Sequence, residues 1–274
     1  MKTRFFVFIL MGVLVTAVVS IAFAASDKAN DKAKEKAPKL EKIEFIHWKK
    51  GFAKPPCNND GVCDPDEKPS CSDCKSNGGG EDPPTTESSC YAFMGQYGKK
   101  LLEWRTLPVQ YVINPQNPYG HSADFITTEI TAAVDEWDYY AIPDLISDSY
   151  EVNSEVEYGV ADGKNAIVFG DYPTAGVIAV TLVWYNPATK AIVEFDIKFD
   201  TDWNWGDASD PDTPNVMDLQ NIAVHELGHA VGLADVYDDV ECSEVSMYGY
   251  SDNGETSKRS LEEPDIIGLT MLYE

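Results

Sequence analysis

Asp218-Leu219-Gln220-Asn221-Ile222-Ala223-Val224-His225-Glu226-Leu227-Gly228-His229-Ala230-Val231-Gly232-Leu233-Ala234-Asp235 is the stretch from which fold and chemistry both follow. Asp218 is an N-cap by type, and Leu219, Ile222, Ala223 and Leu227 recur at helical spacing. His225 and His229 stand four residues apart, so on a helix both imidazoles can face one zinc ion. Glu226 projects beside them, where it can take a proton from water at that ion. A chance H-E-x-x-H is expected about 0.004 times in this composition. The bland alternative is a solvated helix face with incidental histidines. Two of only four histidines in the chain fall in the motif, which argues against it.

The residues that follow extend the pattern to H-E-x-x-H-x-x-G-x-x-D. Gly232 can adopt φ > 0 and end the helix sharply, which lets the chain bring Asp235 back as a third ligand. Three protein ligands leave a fourth position open, as catalytic zinc requires. Asp238 and Asp239 are fallback ligands at less suitable spacing, and His47 and His121 stand in unrelated contexts.

Outward from this helix the body runs from Cys90 to Glu274, about 185 residues and the size of one domain. Ile126, Ile130, Ala133, Val134 and Trp137 give an amphipathic helix that ends before Pro143. Leu107 to Asn114, Ala166 to Phe169, Val177 to Tyr185 and Ala191 to Phe199 read as strands, with a turn at Asn186-Pro187. A closing helix starts near Pro264. Segregated strands and helices predict an α+β fold. Cys90 and Cys242 are the cysteines left over from an N-terminal cluster and are expected to pair.

The N-terminal third is organised differently. Lys2 and Arg4 precede an apolar run from Phe5 to Ala24 that ends in Ala22-Phe23-Ala24, a pattern of export signals. At about 20 residues the run is also long enough for an uncleaved anchor. The rest is expected outside the cytoplasm, secreted or anchored to the outer face of the membrane. Residues 25–56 read as a charged spacer or propeptide, in which Phe45, Ile46, Trp48 and Phe52 can dock on something and His47 reads as packing or surface rather than a ligand. Cys57, Cys63, Cys71 and Cys74 are expected to form two disulfides in an oxidising compartment, with a metal knuckle as the alternative. Residues 75–89, with Gly78-Gly79-Gly80 and Pro83-Pro84, form a linker.

Charge follows the same division. Residues 1–54 carry +6, which leaves −31 of the net −25 for residues 55–274. An acidic body of this kind excludes nucleic acid as a partner, because phosphate binding needs a basic face. The chain is expected to be monomeric.

The zinc helix resembles that of the metzincin metallopeptidases, whose pattern continues to a Met-turn; Ser246-Met247-Tyr248 matches it, with Met247 as the apolar floor. Phe195-Asp196-Ile197-Lys198-Phe199-Asp200 and Pro264-Asp265-Ile266-Ile267-Gly268-Leu269 bring the resemblance closest to the matrixins and their bacterial and archaeal relatives, over roughly residues 100–274. It implies a twisted, mostly parallel sheet with an active-site helix and a C-terminal helix. It also implies a zinc endopeptidase acting on proteins or peptides, with Glu226 as catalytic base and His225, His229 and Asp235 as metal ligands. Substrate would pair along an edge strand, for which Gly176 to Tyr185 is the candidate, and Tyr250 is the candidate for oxyanion support.

Three departures stand out. Asp235 replaces the usual third histidine, as in snapalysin-type peptidases. Lys198 stands where animal matrixins place a ligand of a structural zinc. Calcium can take over that stabilising role through Asp171, Asp196, Asp200, Asp202 or Asp207, all oxygen donors. Finally, the cysteine segment that silences matrixin zymogens is missing. The rival reading is a non-catalytic extracellular binding module with the same fold; retention of Glu226 argues against it. A peptidase acting only on itself or on one partner is a narrower form of the first reading.

Overall fold

Runs rich in Val, Ile and aromatic residues are what sort this chain into a sheet. A computed structural model describes residues 39–52, 90–94, 101–237 and 241–274. The export signal, the module Cys57–Cys74, the linker 75–89 and the fallback ligands Asp238 and Asp239 lie outside the described residues. The strands are β1 (Glu41–Lys49), β2 (Ala92–Phe93), β3 (Glu103–Trp104), β4 (Val112–Ile113), β5 (Glu151–Val152) and β6 (Ala166–Gly170), then β7 (Val177–Asn186), β8 (Ala191–Asp200), β9 (Trp205–Gly206), β10 (Met217–Asp218), β11 (Leu233–Ala234) and β12 (Tyr250–Ser251). The helices are α1 (Ala123–Tyr140), α2 (Leu219–Ala230) and α3 (Glu263–Tyr273).

The described residues build an eight-stranded sheet in the order β12-β1-β7-β8-β6-β4-β5, with β3 also paired to β8. Most pairings are parallel; β7 runs antiparallel to both of its neighbours, β1 and β8. Val177-Ile178-Ala179-Val180 is buried on both faces, as expected for a central strand. The fold is α+β, as the segregation of elements predicts, and its mostly parallel sheet, central helix and C-terminal helix are those the metzincin resemblance implies.

Both long helices begin at the caps their sequences offer. Ser122 accepts from the Phe125 amide at 3.1 Å, and Asp218 accepts from the Asn221 amide at 2.9 Å. The stripe Ile126, Ile130, Ala133, Val134 and Trp137 is buried, and Trp137 Nε1 donates to the Val224 carbonyl of α2 at 2.7 Å. Apolar residues of α1 and α2 share one core with Ile167, Phe195, Ile197 and Phe199 of the sheet. Cys90 and Cys242 are bonded, as expected. No helix among the described residues is long and apolar enough to cross a membrane.

Two expectations are corrected. Leu107 to Asn114 is not one continuous strand. Pro108 has no amide to donate, and Val109 bridges to Ile146 while Val112 and Ile113 pair with β6 and β5. The stretch Gly176 to Tyr185 is not a free edge either. Residues 41–49, read from sequence as part of a charged spacer or propeptide, form β1 and cover it from Glu41↔Tyr185 to Trp48↔Val177. The compact unit accordingly starts at Lys39. Ile43, Phe45 and His47 alternate with Lys42, Glu44 and Ile46, and a strand puts the first set on the face toward α2.

The Cys90–Cys242 bond closes a loop with a sequence separation of 152 residues. Replacing both cysteines with serine is expected to lower unfolding stability by about 3–5 kcal/mol, measurable by urea denaturation beside the oxidised parent.

Candidate metal centre

Helix α2 delivers His225 and His229 to one face, and Gly232 returns the chain. Gly232 has φ +114°, and a Cβ there would lie 2.9 Å from the Leu102 carbonyl oxygen. The reversal brings Asp235 Oδ1 to 3.1 Å from His225 Nε2 and 3.5 Å from His229 Nε2. All three side chains are buried, and none of these three atoms has a hydrogen-bond partner. Three buried lone-pair atoms that converge on one point without hydrogen-bond partners form a donor set that could hold a cation.

The other ring nitrogens fix the tautomers. His225 Nδ1 lies 2.7 Å from the Ser246 carbonyl oxygen and His229 Nδ1 lies 3.0 Å from that of Leu233. Carbonyl oxygens only accept, so each Nδ1 carries the proton and each Nε2 presents a lone pair to the centre. Burial depresses His225 to about 4, which keeps it neutral and able to ligate. Burial alone would raise Asp235, but the two imidazoles hold it well below the ordinary carboxylate range. Its other oxygen, Oδ2, accepts from Tyr237 at 3.0 Å. Two imidazoles and a carboxylate fit zinc with a position to spare.

Below the helix, Met247 is fully buried against Gly228, the residue between the two histidine turns. Asp265 of α3 clamps the turn that carries Met247: it accepts from the amides of Ser246 at 2.8 Å, Met247 at 3.2 Å and Glu262 at 3.0 Å. One buried carboxylate thus caps a helix and fixes the loop that orients His225. Sequence reasoning noticed Asp265 only as part of a resemblance. Its position three residues after Glu262, closing a capping box, was the available signal.

Glu226 is also fully buried, and burial pushes it up to about 8. Thr181 Oγ1 donates to its Oε2 at 2.5 Å, and His47 Nδ1 lies 3.2 Å from its Oε1. His47 Nε2 meets Ser251 Oγ at 3.0 Å, and Lys258 Nζ donates to the same hydroxyl at 3.0 Å. The chain Lys258, Ser251, His47, Glu226 uses every donor only when each passes its proton toward the carboxylate. Burial lowers Lys258 to about 8. Thr181 was missed in the sequence, although a single hydroxyl within Val177-Ile178-Ala179-Val180-Thr181-Leu182-Val183 marks a position with a polar partner. His47, read from sequence as packing or surface, is packed at the centre of this network, with its ring 3.8 Å from that of His225.

The remaining candidates are scattered. His121 Nε2 meets the Trp205 carbonyl at 2.8 Å, away from the centre. Tyr250 lies in β12 with its ring against Tyr237 and Tyr248. Among the calcium candidates, Asp171, Asp200 and Asp202 come together, and buried Asp200 Oδ2 has no hydrogen-bond partner. Asp196 and Asp207 do not join them: Asp196 is satisfied by the Gly159 and Ala166 amides, Asp207 by Arg259 and Ser209. Lys198 lies over the Tyr158 ring at 4.3 Å.

A helix that presents two imidazoles, met around one buried point by a carboxylate from the turn beyond it, is the arrangement of H-E-x-x-H metal sites. The matrixin profile, Peptidase_M10, matches residues 103–274, and the chain belongs to this family. It is 28% identical over 169 residues to Metalloendoproteinase 2-MMP of Arabidopsis thaliana, an alignment that covers 60% of this chain and 40% of that relative.

A Cβ at Gly228 would fall 2.1 Å from Met247 Sδ and 2.8 Å from Trp137 Cζ2. Gly228→Ala is therefore expected to cost about 1–3 kcal/mol by overpacking. Urea unfolding measures that loss, and zinc titration of the variant is expected to show weaker binding.

Proposed function

We propose that this chain is an exported zinc-dependent endopeptidase that hydrolyses exposed peptide bonds of proteins. The observation that carries the reading is the convergence of His225 Nε2, His229 Nε2 and Asp235 Oδ1, all buried and all without hydrogen-bond partners. These residues would hold the metal, with Asp235 as a snapalysin-like third ligand. Zinc, when bound, supplies a Lewis acid that polarises the scissile carbonyl and acidifies water. Glu226 takes the proton of the attacking water and returns it to the leaving amine. Thr181, from the strand beside the helix, orients that carboxylate through its hydroxyl. The apolar run Phe5 to Ala24 supports export.

Glu226→Gln is expected to reduce cleavage of an unfolded protein at least ~10³-fold while zinc stays near one per chain, because the change removes the base and leaves the ligands. Equal cleavage by parent and variant counts against the reading. Asp235→Ala is expected to weaken zinc binding at least ~100-fold, and equilibrium competition with a chelator reads it directly.

Calcium at Asp171, Asp200 and Asp202 is the second ion supported by the fold. Added at about 100 times its dissociation constant it should stabilise the protein by about 2.7 kcal/mol. A melting temperature unmoved by calcium and by chelation counts against it.

A further inference from the structure

We propose that residues Glu41–Lys49 are a built-in occupant of the peptide groove, lying where another peptide strand would pair and leaving before any substrate can reach Glu226. The use of the groove rests on the peptidase reading; the occupancy stands on the topology of the sheet. β7 and β12 both border β1 and do not touch each other in the sheet order. Without β1 a slot one strand wide lies between them, about 9–10 Å across. Its floor is the metal centre. Phe45 stacks on His229 at 4.1 Å, and His47 covers His225 and engages Glu226.

The fit is that of a paired peptide. β1 runs antiparallel to β7 over Glu41 to Trp48 and parallel to β12 at Trp48 and Lys49. Backbone hydrogen bonds give this kind of docking its affinity, and the alternate side chains give specificity. Charge holds the far end. Lys49 pairs with Asp252 and Lys50 with Glu255, both beyond β12, so two cations at the end of β1 meet acids of the body. The result is a closed site: His225, Glu226 and His229 have 0% exposure, and neither water nor a peptide bond can reach them. No thiol takes part among the described residues, because Cys90 and Cys242 are bonded to each other. An imidazole on the general base does the blocking.

The test uses the chain from Ala25 onward, loaded with zinc, with a site for a sequence-specific protease placed at Gly78-Gly79-Gly80. Cutting turns β1 into part of a separate fragment that dilution can release, since its effective concentration falls. Two readouts are followed: cleavage of an unfolded protein, and the rate at which a chelator strips zinc from the Glu226→Gln version. Release of the fragment is expected to raise both at least tenfold. A synthetic peptide of residues 39–52 should restore both to the uncut level, and its His47→Ala form should act at least tenfold more weakly. Should the fragment stay bound, Phe45→Gly/His47→Gly in the uncut chain removes the contacts with the centre and is expected to give the same rises.

Equal values for uncut and released protein, or for parent and double variant, overturn the proposal. Loss of the near-ultraviolet circular dichroism on release overturns it as well, because β1 is then a structural strand. Faster zinc stripping, reversed by the peptide, with no cleavage in any form leaves the occupancy standing and removes the peptidase reading instead.

Discussion

Two hydrogen bonds from imidazole Nδ1 atoms to backbone carbonyls, at Ser246 and Leu233, constrain everything else at the centre. They decide which nitrogen of each ring faces inward, and they tie the helix to both segments that follow it. Leu233 belongs to the turn that returns Asp235, and Ser246 belongs to the turn that carries Met247. Holding these carbonyls in register requires Gly232 to reverse the chain without a Cβ and Asp265 to fix the Met247 turn from a third element. Much of the C-terminal architecture can be understood as support for two ring orientations.

Support of this kind explains the number of buried polar groups in so small a volume. His47, Thr181, Glu226, Ser251, Lys258 and Asp265 are all buried, and each has partners. A network in a low-dielectric interior is stabilising only when its members are satisfied, and beside this one three unpartnered atoms, His225 Nε2, His229 Nε2 and Asp235 Oδ1, converge on a single point. Their convergence is what makes the three a donor set that could hold a cation.

Sheet topology adds a second constraint. In the order β12-β1-β7-β8, the strand nearest the helix is paired on both sides, which places an N-terminal segment over the metal centre. One strand, β1, is what closes this centre. It is held by a ladder of backbone hydrogen bonds together with the Lys49 and Lys50 ion pairs.

The sequence by itself determined the local features. Spacing of i, i+4 sets His225 and His229 on one face whatever the rest of the chain does, and Asp218 and Ser122 cap their helices through contacts three residues away. The hairpin of β7 and β8 was legible from two apolar runs around Asn186-Pro187, and the Cys90–Cys242 pairing from elimination. Tertiary structure alone decided the rest. His47 and Glu226 are 179 positions apart, and nothing in the charged stretch around His47 shows which strand it will join. Register across such a distance is set by which face each alternate residue buries once a partner edge exists. Likewise five acids looked equivalent as calcium ligands, until backbone amides and Arg259 claimed Asp196 and Asp207 and left three together. Helical spacing is a property of the backbone, whereas strand partners and carboxylate partners are chosen by competition within the folded chain.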